Sequence, residues 1–174
     1  MSCAFCVRNE HDGVEGQYLW LTDEPDANEV IAACPADLST FDEVVFCGFG
    51  EPTYRLNVLL EVAKYFKAKG KTVRLNTNGH GEIINNKPVS DLLYGIIDIV
   101  SVSLNASTPE GYDALCRPSF ENAFEAMLSF ALSCKEMEIE TVMTVVDTIG
   151  EEEIAACQAL CDGLDLRLRV RKFF

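Results

Sequence analysis

The chain has 174 residues, 48% of them hydrophobic and 24% charged, enough for one domain with its own core and too apolar for a disordered segment. Asp and Glu total 28 against 14 Lys and Arg, a formal net charge of -14, which repels phosphate backbones and argues against nucleic acid as a partner. No secretory h-region precedes the first cysteines, and apolar runs such as Ile96 to Val100 are too short to cross a bilayer; the expectation is a cytoplasmic protein with reduced thiols and no membrane partner.

In chain order, Val7 to Pro25 is polar, aperiodic and rich in Gly and acids. It reads as a loop bearing an apolar patch, Tyr18-Leu19-Trp20-Leu21, with Trp20 expected to plug the core. Asp26 followed by Glu29 forms a capping-box pattern ahead of Val30, Ile31, Ala33 and Cys34, which predicts a helix ended by Pro35. Asp42 to Cys47, centred on Val44-Val45-Phe46, predicts a buried parallel strand stopping at Gly48 and Gly50. Leu56, Leu59, Leu60, Ala63, Tyr65 and Phe66 recur at helical spacing up to Gly70. Thr72 to Asn76 is the next strand and runs into the turn Thr77-Asn78-Gly79. A short helix over Val89 to Tyr94, a strand over Asp98 to Asn105 and a long amphipathic helix over Phe120 to Glu136 follow. Glu140 to Val146 and Leu166 to Val170 are the last strands, separated by a helix from Glu151 to Cys161 whose acids suit its positive end.

This alternation predicts a parallel sheet wrapped by helices, either doubly wound or a β/α barrel. Functional groups in such folds gather where the strands end at their carboxyl termini. Those ends are Gly48-Phe49-Gly50-Glu51-Pro52, Thr77-Asn78-Gly79 and Ser103-Leu104-Asn105. The first admits two readings: a backbone bare enough to meet a ligand, with Glu51 accepting from an amino group, or a plain strand-to-helix turn. Ser103 and Asn105, two apart on one predicted strand, share a face and suit ribose hydroxyls.

Cys3 and Cys6 are two thiols three apart, and a zinc ion or an iron–sulfur cluster needs three or four ligands. Cys157 and Cys161, one helical turn apart on an apolar face, read as packing, and Cys34, Cys116 and Cys134 as core or surface thiols. Cys47 falls inside a predicted strand. His11 and His80 are the two histidines, too few for a His-based site, and His80, after the TNG rim, reads as a turn residue, with a substrate contact as the alternative. Arg117-Pro118 is either a helix entry with an exposed Arg or a contact for an anionic group.

Cys3 and Cys6, with Phe5 just before the second thiol and GFGEP after a strand, resemble the radical S-adenosylmethionine (radical SAM) superfamily, whose signature is Cys-x3-Cys-x2-Cys followed by a GGEP-like turn. The runs Phe46 to Thr53, Asn76 to Gly79, Val102 to Ala106 and Arg169-Val-Arg171 look most like its short members associated with TatD-type hydrolases. The resemblance implies a single domain over 1–174 folded as a partial (β/α)6 TIM-type barrel without its first strand. It implies a [4Fe–4S] cluster held by three thiolates, and S-adenosylmethionine cleaved reductively to a radical that abstracts hydrogen from an unknown substrate. Carried over by position, Cys3 and Cys6 are cluster ligands, and Gly48, Gly50 and Glu51 cradle the methionyl amino group. Asn78, Ser103 and Asn105 meet ribose or carboxylate, and Val170 with the backbone near Phe5 meets adenine. A flavodoxin- or ferredoxin-like reductant and a functional link to a TatD-type hydrolase are the implied partners. One departure stands out. The first cysteine of the signature falls two residues upstream of Met1, so an incomplete N-terminus preceded there by Cys is expected, and the polypeptide as written is short of a ligand. The rival expectations are a non-catalytic iron–sulfur or zinc-binding β/α protein and a degenerate homologue acting only as a binding partner.

Overall fold

Five strands pair side by side in the order in which the chain makes them. The computed structural model describes residues 1–173 other than Glu10 and Glu15. After a 3-10 turn at Val7–Asn9, the predicted loop contains a small antiparallel hairpin of β1 (Gly13–Val14) and β2 (Gln17–Tyr18). Trp20 does not plug the core: it is 43% exposed, its indole N–H donates to Asp12 Oδ1 at 3.0 Å, and its ring meets Phe49 edge-on at 5.3 Å. An indole with one wet edge and one polar partner needs no burial, so it leans on the glycine-rich rim instead.

Helix α1 (Ala27–Ala33) begins at the expected capping box, with Asp26 Oδ1 accepting from Glu29 N at 2.9 Å and Glu29 Oε2 from Asp26 N at 2.8 Å. Then come β3 (Glu43–Phe46), a 3-10 turn at Pro52–Arg55, α2 (Leu56–Ala68) and β4 (Thr72–Thr77). Cys47 lies just past β3 rather than within it. Two short helices follow, α3 (Gly81–Asn85) and α4 (Ser90–Leu93), and then β5 (Ile99–Ser103). Strand β5 is shorter than the predicted Asp98 to Asn105 at both ends. Asp98 spends its carboxylate on Lys67 at 2.6 Å and on Val73 N at 2.8 Å, while Asn105 turns left-handed at φ +64. The remaining elements are α5 (Pro109–Cys116), α6 (Ala123–Glu136), β6 (Glu140–Val146), α7 (Glu151–Gly163) and β7 (Arg167–Arg171). Helix α6 starts later than its periodicity predicts because Asn122 adopts φ +53 immediately before it.

The sheet order is β3-β4-β5-β6-β7 and every pairing is parallel. A doubly wound sheet reverses its order at a switch point. This one never does, which selects the barrel-type half of the expectation. The register gives the sheet two unlike faces. Val73, Leu75, Val100, Val102, Met143 and Val145 point into the core shared with α2, α6 and α7. The opposite face carries Arg74, Asn76, Ser101, Ser103, Thr144, Arg169 and Arg171. On it, Arg74 binds Glu43 at 2.7 Å and donates to Ser101 Oγ at 3.2 Å. No helix is long and apolar enough to cross a membrane among the described residues.

Candidate functional site

The β3 rim is built on two glycines. Gly48 at φ +138 and Gly50 at φ +102 occupy backbone conformations that other residues resist, and a Cβ added at either would meet nothing within 4 Å. Packing does not demand glycine here; the backbone path does, and it leaves the main chain open to a ligand.

Glu51 ties this rim to the next. Its Oε1 accepts from Thr53 N at 3.2 Å, Thr53 Oγ1 at 2.8 Å and Thr77 Oγ1 at 2.7 Å, and its Oε2 accepts from Asn78 N at 2.8 Å. Burial pushes the carboxyl pKa up, and these four donors oppose that shift. Oε2 takes one bond and keeps capacity for another, the property an ammonium ligand requires. In the β4 turn, Asn78 Oδ1 accepts from His80 N at 2.9 Å and Thr77 Oγ1 accepts from Gly79 N at 3.0 Å, so the Asn78 Nδ2 is left for solvent or ligand.

Ser103 closes β5, half-buried on the polar face. Asn105 does not share its strand face as predicted: it lies past the strand end, and its left-handed backbone aims the amide at Cys116, with Nδ2 to Sγ at 3.4 Å. Asn105 is 2% exposed, and its Oδ1 is the one fully buried side-chain polar atom without a hydrogen-bond partner among the described residues. An orphaned acceptor costs roughly 1–3 kcal/mol, so a ligand donor placed there would be rewarded.

The N-terminal segment docks beside this atom. Ser2 N donates to Cys116 O at 3.2 Å and Ala4 N to Leu115 O at 2.9 Å, which lays Cys3 against the carboxyl end of α5. Cys6 N closes a turn onto Cys3 O at 3.2 Å, and Phe5, Cys3 and Cys6 are all half-buried. The neighbouring Cys116 thiol lowers the Cys3 thiol to about 7, and Cys3 in turn raises that of Cys116. A thiol that ionises near neutrality is a ready thiolate ligand. Among the described residues no three His, Cys, Asp or Glu side chains converge into a metal-holding set, so Cys3 and Cys6 are the donor pair on view.

Tyr112 and His80 bridge the two groups. The Tyr112 hydroxyl lies 3.4 Å from His80 Nε2, which is also 3.0 Å from Ala123 O, and burial of the phenol, then the nearby Cys116, Cys3 and Glu51, raises the Tyr112 pKa. Cys3, Cys116 and Asn105 thus sit on the same rim as Glu51, Thr77 and Asn78. Ser103 makes no side-chain hydrogen bond to either group among the described residues. The Val170 side chain lies on the helix-covered face beside Val145, 46% exposed. Sequence reasoning gave no role to Thr53 or Tyr112, named Thr77 only as part of a turn, read Cys116 as a core or surface thiol, and took the 1% exposed His80 for a turn residue. The signal available was Thr53 two residues after Glu51 and Thr77 at a strand end, where short hydroxyls bond local acceptors.

A family model described as the Radical SAM superfamily matches residues 1–160. A putative glycyl-radical enzyme activating enzyme of Methanocaldococcus jannaschii is 31% identical over 129 residues, covering 70% of this chain and 52% of that protein. The chain therefore spans about half the length of this curated relative. Among solved structures, Streptococcus suis SuiB bound to S-adenosylmethionine superposes with a TM-score of 0.65 at 15% identity, over 99% of this chain and 36% of that one. Native anSMEcpe with bound AdoMet gives 0.64 at 15% identity, over 99% and 48%. At such identities the likeness is one of fold.

Proposed function

The chain belongs to the radical SAM superfamily, and from that premise we propose that it binds S-adenosylmethionine along the carboxyl edge of its sheet, beside a [4Fe–4S] cluster held through Cys3 and Cys6, to begin hydrogen abstraction from a substrate. When bound, the cluster and S-adenosylmethionine supply the electron and the 5′-deoxyadenosyl radical that such chemistry needs. The protein's share is binding and orientation. Cys3 and Cys6 offer thiolates, and Gly48 and Gly50 keep the backbone bare for the methionyl group, whose ammonium Glu51 Oε2 accepts. Asn78, Ser103 and Asn105 meet carboxylate or ribose, and the backbone at Val170 and near Phe5 borders the adenine.

The observation that carries this reading is the unpartnered Asn105 Oδ1, one contact from Cys116 and two from Cys3. It is a buried acceptor waiting for a donor where the thiols are. Anaerobic reconstitution with iron and sulfide of the protein supplied with the signature's first cysteine two residues before Met1, then dithionite and S-adenosylmethionine, tests it: 5′-deoxyadenosine should accumulate, and Cys3→Ala or Cys6→Ala should abolish it. Accumulation unaffected by these substitutions would overturn the proposal. Glu51→Ala separates an enzyme from a non-catalytic iron–sulfur or zinc-binding protein, whose metal content would not respond to that change.

Members of the superfamily need a reductant, and a flavodoxin- or ferredoxin-like protein is proposed here. The runs Phe46 to Thr53 and Val102 to Ala106 support placing the chain with the TatD-associated members; co-purification with a TatD-type hydrolase is the expected result. Activation of a glycyl-radical enzyme is the second reading, supported by the 31% identical relative. A glycyl-radical signal in a candidate partner after incubation would favour it.

A further inference from the structure

The last strand is at odds with the charge of the whole. Arg167, Arg169, Arg171 and Lys172 place four of the chain's 14 basic residues within six positions of a polypeptide with a net charge of -14. Strand alternation sorts them. Arg167, Arg169 and Arg171 fall on one face of β7, beside Val142, Thr144 and Val146 of β6, and Thr144 in turn lies beside Ser103 of β5. All three arginines therefore belong to the polar face of the sheet, and Arg169 and Arg171 stand at its carboxyl half.

Their partners differ. Arg167 pairs with Glu140 at 3.5 Å, whereas among the described residues Arg169 and Arg171 have neither a carboxylate partner nor a side-chain hydrogen bond. Guanidinium groups present planar forks that match phosphate and carboxylate oxygens in bidentate fashion.

We propose that Arg169 and Arg171 form an anion-binding site on the polar face of the sheet, and that the substrate carries a phosphate or carboxylate group that docks there. The word substrate rests on the radical SAM reading; the anion site does not. Strands lie about 4.8 Å apart, so Arg169 stands about 10 Å across the sheet from Ser103 and three strands from the Glu51-linked β4 rim, about 14 Å away. A methionyl carboxylate sits within a few ångströms of its own ammonium. A cofactor anchored at Glu51 would carry that carboxylate on the β3–β4 side of the sheet, and the pair on β7 is offered to a second ligand.

Isothermal titration of the reconstituted protein with inorganic phosphate at constant ionic strength, and separately with S-adenosylmethionine, tests the site. Arg169→Gln and Arg171→Gln should each weaken phosphate binding about tenfold, the loss typical of a hydrogen bond to a charged group. The double variant should abolish it, and Arg167→Gln, whose side chain is already paired, should change it less than about twofold. Circular dichroism should show the variants folded, since both side chains are exposed. S-adenosylmethionine affinity should be unchanged throughout. Phosphate binding that is absent in the wild type, or retained in the double variant, overturns the site. A parallel fall in S-adenosylmethionine affinity overturns the substrate assignment, because the pair would then serve the cofactor. Phosphate behaviour as expected in a protein that binds no S-adenosylmethionine upholds the anion site and sinks the cofactor reading.

Discussion

Glu51 accepts hydrogen bonds from two backbone amides and two hydroxyls, and so ties the β3 rim to the β4 turn. Its hydroxyl partners, on Thr53 and Thr77 at 0% and 4% exposure, can rotate to another acceptor; the amides of Thr53 and Asn78 cannot. Glu51→Ala is therefore expected to lower the unfolding free energy by about 1–3 kcal/mol in urea titrations, besides removing S-adenosylmethionine binding. His80 offers a second check. Burial lowers its pKa below 6.5, so between the depressed folded value and 6.5 the unfolded chain binds more protons than the native one. Stability should rise with pH across that window and be lost on acidification through it. His80→Phe should flatten this slope in denaturation midpoints measured from pH 7.5 down to about 5. Glu51 and its glycines were legible in the sequence because their chemistry shows locally. Cys116 was not, since a thiol in a core and a thiol bonded to a ligand residue are spelled the same way, and only the docking of Met1 to Cys6 on α5 separates them.

At the level of elements, the strands from Glu43 to Val146 were readable because each is rich in β-branched residues and flanked by turn residues, and β7 by its strict alternation of Arg with Leu and Val. The short helices α3 and α5 were not: five and eight residues show only about one and two periods. Helix α5 does have a start signal, Thr108 Oγ1 accepting from Gly111 N at 3.1 Å with Pro109 in the first turn, but its polar sequence hides it. Gly79 shows how tightly β4 meets α6. It sits at φ +81, and a Cβ there would lie 2.7 Å from Met127 Cγ and 3.1 Å from Met127 Cα. Gly79→Ala should cost on the order of 3 kcal/mol, combining a strained backbone with overpacking against a helix that cannot retreat. Gly48→Ala has open space around it, so its cost is confined to backbone strain. Thermal unfolding of the two variants should rank them in that order.

For the whole molecule, alternation of strand and helix made the α/β class legible, whereas the unreversed strand order and the two-faced sheet emerge only from pairing. The same holds for the bond between the first residues and α5. Because Ser2 and Ala4 donate to Cys116 and Leu115, ordering Cys3 and Cys6 around a cluster should also quiet α5. Hydrogen exchange over 109–117 is expected to slow on reconstitution together with that over 2–9, and slowing confined to the N-terminal segment would count against the coupling. The polar face of the sheet has a thermodynamic consequence of its own. The face carrying Asn76, Ser101, Ser103, Thr144 and the arginines is largely polar, so a ligand bound against it would exchange hydrogen bonds with solvent for hydrogen bonds with protein and cover little apolar surface. Binding there should carry a heat-capacity change close to zero, unlike the strongly negative value of an oily pocket, and its enthalpy should hardly vary with temperature.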